Sequence, residues 1–110
     1  MKKVLHLLAS NKFSGAENVV CTIIDNFKDE IDMAYCSPNG PIKQILEDKN
    51  ILYLPLEKMS LGQVKKVIKI YQPDIIHAHD YTASVLAVLS GFKGKIISHL
   101  HINASFAKTW

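Results

Sequence analysis

The stretch Lys3–Phe27, KVLHLLASNKFSGAENVVCTIIDNF, holds a whole strand, loop and helix in one run. Lys3 to Leu8 is a short apolar run of strand length, and Ser10 to Ser14 is a polar loop. Then the period changes. Ala16, Val19, Val20, Ile23, Ile24 and Phe27 recur at the three- and four-residue spacing of one helix face, a stripe that packs on a sheet. Ser14 stands three residues before Glu17, so the serine can cap the helix while the glutamate returns the hydrogen bond. Capping alone accounts for both residues and is their preferred role, with Gly15 as the turn between loop and helix.

The same alternation continues along the chain. Ile31 to Cys36 reads as a second strand, closed by the turn Ser37-Pro38-Asn39-Gly40. Pro41 suits the first position of a short helix carrying Ile42, Ile45 and Leu46. Ile51 to Leu54 is a third strand ended by Pro55. Ser60 caps a helix with Leu61, Val64, Val67, Ile68 and Tyr71 on one face, and Pro73 stops it. Asp74 to Ala78 is a fourth strand. Tyr81 to Leu89 is apolar nearly all round, as a helix buried between a sheet and another layer would be. Gly91 and Gly94 break it, and Lys95 to Leu100 is a fifth strand. Five strands alternating with four helices predict a three-layer α/β, Rossmann-like parallel sheet with right-handed crossovers. The expected strand order is 3-2-1-4-5, with the sheet incomplete at its carboxyl end.

A chain of 110 residues, 48% of them hydrophobic, is enough for one domain. All thirteen basic residues are Lys, so the bidentate guanidinium that grips phosphate or guanine is absent, and nucleic acid is not an expected partner. Cys21 and Cys36 have neither disulfide-framework nor zinc-knuckle spacing and read as buried, reduced thiols of a cytoplasmic protein. Met1-Lys2-Lys3 has the charge of a signal peptide, but the apolar run that follows is short and holds His6. No run reaches the roughly 18 to 20 apolar residues of a membrane span. Lys65, Lys66 and Lys69 form a solvated face whose alternative use is weak peripheral contact with anionic lipid at the inner membrane face.

In a doubly wound sheet, ligands bind beyond the carboxyl ends of the strands near the point where strand order reverses. That rule selects Ser14-Gly15-Ala16-Glu17 after the first strand, His79-Asp80-Tyr81-Thr82 after the fourth, and His101-Ile102-Asn103 after the fifth. Amides at the start of the first helix favour an anion such as phosphate, whereas the single Gly15 falls short of a dinucleotide fingerprint. Four of the five histidines form two His-x-His pairs, His77/His79 and His99/His101, each pair on one face of its strand. Such pairs can ligate a metal, but metal-dependent hydrolases that carry them use a closed barrel of about 250 residues. No metal is expected. His77 and His99 are taken as interior histidines, and His79 and His101 as the members at the mouth.

In their order and spacing these motifs resemble the amino-terminal domain of family 4 retaining glycosyltransferases of the bacterial capsular and exopolysaccharide type. The resemblance rests on Lys3-Val4-Leu5-His6-Leu7-Leu8, Ser14-Gly15-Ala16-Glu17, Pro73-Asp74-Ile75-Ile76-His77-Ala78-His79 and Ile97-Ser98-His99-Leu100-His101-Ile102-Asn103. It implies a GT-B architecture, two Rossmann-like domains facing across a cleft, with sugar transferred from a nucleotide-sugar to a glycan or lipid-linked acceptor. It implies no cofactor and no catalytic metal. On the family's pattern Ser14, Gly15 and Ala16 would lie by the donor phosphates. His101 would be the catalytic residue near the transferred sugar, with His99 as the alternative register, and His79, Asp80 and Asn103 would shape the acceptor side. The family usually has two glycines where this chain has Ser14-Gly15. The donor-binding carboxyl-terminal domain has no counterpart here, so the chain is expected to be inactive without that domain or a partner chain that supplies it.

Two other classes share parts of this pattern. A receiver domain needs clustered acids at the end of its first strand, and Ala9-Ser10-Asn11 has none. A flavodoxin-like binding module remains compatible with the fold and differs by binding flavin; the His-x-His hydrolase differs by binding metal.

Overall fold

Helices connect all successive strands, and parallel pairing needs such crossovers. The computed structural model describes residues 2–13 and 15–99. Its elements are β1 (Lys3–Leu7), α1 (Gly15–Phe27), β2 (Asp32–Pro38), α2 (Ile42–Asp48), β3 (Leu52–Leu56), α3 (Leu61–Tyr71), β4 (Ile75–Ala78), α4 (Tyr81–Leu89) and β5 (Lys95–Ser98). The strands form one parallel sheet in the order β3-β2-β1-β4-β5, as the sequence predicts.

The two-residue period of the strands sorts the core into two layers. Leu5, Leu7, Ala34, Cys36, Ile76 and Ala78 meet Val64, Val67 and Tyr71 of α3 and Ala83 and Ala87 of α4. Tyr35, with Leu8, meets Val20, Cys21 and Ile24 of α1 and Ile42 and Leu46 of α2 on the other face. Each fully buried Leu or Ile here contributes about 2 kcal/mol. Both cysteines are buried free thiols, and burial pushes their pKa values up, that of Cys36 to about 12, so neither is a ready nucleophile. No helix among the described residues is long and apolar enough to cross a membrane.

Three local readings change. Pro55 lies inside β3 rather than ending it, opposite Ser37. β3 is an edge strand, and an edge tolerates a residue with no N–H to give. In α1 the buried stripe is Glu17, Val20, Cys21 and Ile24, while Val19 and Phe27 are exposed. The apolar sector is wider than the line of contact with the sheet, so its outer flank stays in solvent. α4 buries only Ala83 and Ala87, and Tyr81, Val85, Val88 and Leu89 are exposed. Its two alanines, one turn apart, let the helix approach the sheet closely, and its large side chains line the outer surface.

Candidate functional site

The loop after β1 is held from both sides. The Asp80 carboxylate caps α4 by accepting from Ala83 N at 2.8 Å, and its other oxygen accepts from Ala9 N at 2.7 Å. One carboxylate therefore fixes both a helix start and the first residues of the loop. On the other side, Asn11 donates from its side chain to the carbonyl of Asn39 at 3.1 Å, and its own carbonyl accepts from Ile42 N at 3.1 Å. Gly40 permits this approach, because a Cβ there would stand 2.5 Å from the Asn11 amide. The backbone completes the frame, with His79 N donating to Leu7 O and Leu8 N to Cys36 O.

This framed loop leads into the amino end of α1. Gly15, the first residue of the helix, is exposed, and a Cβ built on it would meet nothing within 4 Å. Ala16 follows, half-buried, and then Glu17, which is buried. The amides of this first turn carry the positive end of the helix dipole, so the surface at Gly15 is disposed to an anion. The Tyr35 ring of β2 is buried in the core layer against α1, and burial, with the Glu17 carboxylate next in importance, raises the pKa of its hydroxyl.

Beside this loop lies a cluster of imidazoles. β1 and β4 pair so that His6 stands opposite His77. The His77 and His79 rings stack at 3.9 Å between centroids, as two side chains on the same face of one strand would. His79 and His6 approach to 2.9 Å between Nε2 and Nδ1, and His6 Nε2 lies 3.3 Å from the Met33 sulfur. A thioether has only lone pairs to offer, so His6 donates from Nε2 to Met33, and its Nδ1 accepts from His79. Burial holds His6 neutral, its pKa pushed down to about 3, with the repulsion of His77 as the second cause. His99 extends the cluster, its ring 5.9 Å from that of His77.

The structure reverses the expected placing of His79 and His99. His79, read as a residue of the mouth, is buried with 1% of its surface exposed, because its ring turns back onto His6. His77 is half-buried, and His99, read as interior, is exposed on the edge strand side. Both oxygens of Asp80 are engaged by backbone N–H groups. Ser14, His101 and Asn103 lie outside the described residues, and with them the proposed capping box. Three residues that organise the site were not singled out from sequence: His6, Met33 and Asn11. For His6 the signal was present, since strand order 3-2-1-4-5 makes β1 and β4 neighbours.

The fold and loops define a doubly wound α/β domain whose carboxyl-end loops frame the start of its first helix. Among solved structures it is similar to Anabaena Alr3699/HepE in complex with UDP-glucose, with a TM-score of 0.77 and 22% identity over 93% of this chain. The complex of the same protein with UDP and glucose gives 0.75 and 26% identity. A glycosyltransferase from Rickettsia africae gives 0.67 and 19% identity over 98% of this chain. The chain spans 30% of the length of the HepE chain and 33% of the Rickettsia one. No protein-family model matches the sequence, and no curated protein matches it significantly.

Proposed function

We propose that the chain is part of the amino-terminal domain of a GT-B glycosyltransferase of the family 4 retaining, capsular or exopolysaccharide type. It would form one wall of a nucleotide-sugar site. The observation that carries this reading is the loop after β1, held between Asp80 and Asn11 so that it presents the open amino end of α1 at Gly15. Similarity of fold to a protein in complex with UDP-glucose supports a nucleoside diphosphate sugar as the ligand.

In this account the amides of Gly15 and Ala16 at the start of α1, with Ser14 before them in the sequence, face the donor diphosphate, whose charge grows as the glycosidic bond breaks. His101 hydrogen-bonds the donor sugar and stabilises the developing charge. The loops carrying His79, Asp80 and Asn103 shape the acceptor side; Asp80 acts by fixing backbone, since its carboxylate is already shared between Ala9 and Ala83. Transfer needs no metal in this scheme, because helix amides and side chains carry the charge. The acceptor is a glycan or lipid-linked sugar on the cytoplasmic side, and the donor's nucleotide half is held by a carboxyl-terminal domain or partner chain. The 110 residues alone do not transfer sugar.

The test is kinetic. In the polypeptide, or pair of chains, that completes the cleft, a panel of nucleotide-sugars is assayed for released nucleoside diphosphate and for labelled glycan. His101→Ala should lower turnover by about 100-fold or more, the size of a lost transition-state donor. Near wild-type turnover in that variant would sink the assignment of His101.

A further inference from the structure

Three of the clustered imidazoles are arranged as metal ligands. His6, His77 and His79 each offer one ring nitrogen, and these three nitrogens all lie within 4.8 Å of one another. Ligands on zinc–nitrogen bonds of about 2.05 Å in a tetrahedron stand about 3.3 Å apart. The 2.9 Å between His6 Nδ1 and His79 Nε2 and the 4.8 Å limit for the set bracket that spacing, and the stacked His77 and His79 rings would turn out of parallel for their lone pairs to meet at one point.

The surroundings fit the same use. The bond from His6 Nε2 to the Met33 sulfur fixes the tautomer of His6 and leaves its Nδ1 lone pair directed into the cluster. In the metal-free chain that lone pair accepts from His79. On binding, the metal takes the place of that proton, and His79 carries its hydrogen on the other ring nitrogen, so both rings remain neutral. Two of the three ligands are buried, His6 on β1 and His79 just after the neighbouring β4. His77 is half-buried and His99 beside it is exposed, which gives an ion a way in from the β4–β5 face.

We infer that His6, His77 and His79 form a site for a borderline transition-metal ion of the zinc class that pins β1 to β4 beneath the loop after β1. Three imidazoles with no carboxylate among them suit Zn2+, Co2+, Ni2+ or Cu2+ and not Mg2+ or Ca2+. This departs from the expectation of no metal, which rests on the pairs His77/His79 and His99/His101 without His6. The site is structural, lies in the sheet, and is independent of the sugar-transfer reading.

The probe is Co2+, titrated into the purified metal-free chain, with Zn2+ as competitor. The expected result is one Co2+ per chain with the intense visible bands of a four-coordinate site of three imidazoles and a water, lost when Zn2+ displaces it, and a Zn2+-dependent rise in Tm that Mg2+ does not give. His6→Gln and His77→Gln should each remove the bands while far-UV circular dichroism stays native. Met33→Leu should keep them with about 10-fold weaker binding, the lower end for a lost outer partner. Half-buried His77 carries the test if the His6 variant does not fold. Absence of bands in the wild-type chain overturns the site. So do bands that persist in His77→Gln but vanish in His99→Gln, which would mark binding by the exposed His99 and its neighbours.

Discussion

Asp80 holds Ala9: its Oδ2 accepts from the Ala9 amide at 2.7 Å while its Oδ1 caps α4 through Ala83. This side chain couples the start of the loop after β1 to the start of a helix on another strand. A charge-assisted bond to a backbone N–H is worth roughly 1.5 to 3 kcal/mol and a helix cap about 1 kcal/mol. Asp80→Asn keeps one acceptor oxygen and can hold only one of the two amides, so it should cost about 1–2 kcal/mol. Asp80→Ala loses both and should cost about 3 kcal/mol. Urea denaturation of the isolated chain reads both, and equal losses in the two variants would contradict the shared role.

Gly15 separates ligand contact from folding. A Cβ there meets nothing within 4 Å and the residue has no positive φ, so Gly15→Ala should leave stability unchanged or raise it by up to about 1 kcal/mol. In the completed enzyme the same methyl group would stand where the donor phosphates approach, and the affinity for nucleotide-sugar should fall by about 10-fold or more. Calorimetric titration alongside thermal melting gives both numbers. Unchanged affinity would remove Gly15 from the donor wall.

The depressed pKa of His6 makes stability depend on pH. The folded protein keeps this ring neutral down to about pH 3, whereas the unfolded chain protonates it near 6.5. The unfolded state therefore binds the extra proton between those values. Stability is fully present above about pH 6.5 and falls as pH drops toward 3, by an amount on the order of 4 kcal/mol from this group. Between pH 6.5 and 5 few carboxylates titrate, so the slope there belongs to the imidazoles. In His6→Gln, chemical denaturation should show a clearly shallower slope across that window, and a slope matching wild type would refute the assignment to His6.

The outer surface of α4 gives a contrast between neighbouring residues. Val88 and Leu89 are 64% and 59% exposed, whereas Ala87 is fully buried against the sheet. Val88→Lys and Leu89→Lys should each shift the stability of the isolated chain by less than about 0.5 kcal/mol. Ala87→Leu should cost about 1–3 kcal/mol by overpacking. A loss above about 2 kcal/mol in either lysine variant would mean that something covers this face in solution.

That contrast shows where the sequence was readable. The bounds of α4 follow from Tyr81–Leu89 and its glycine stop, and the parallel α/β class follows from the alternation of elements, whereas the order 3-2-1-4-5 is one of two common orders that share it. Which side of α4 is buried did not, because a helix apolar on every side has no periodicity to reveal it. Pro55 reads as a terminator in the sequence because a proline in a strand is neutral only at an edge, and edge position is a property of the whole sheet. Asp80 stood one residue before a helix, where a cap belongs, so its engagement was within reach of the sequence. The His6–His77–His79 cluster needed pairing across strands: the His-x-His spacing at the end of β4 finds two of its members, and only the β1–β4 register brings in the third.

Whether the amino end of α1 and His101 serve a nucleotide-sugar is tested by sugar transfer in the completed cleft, comparing wild type with His101→Ala across a panel of nucleotide-sugars. Turnover of at least one nucleotide-sugar is expected, with a loss of about 100-fold or more on removing the imidazole. Absence of nucleotide-sugar binding and turnover in the completed protein would contradict that role.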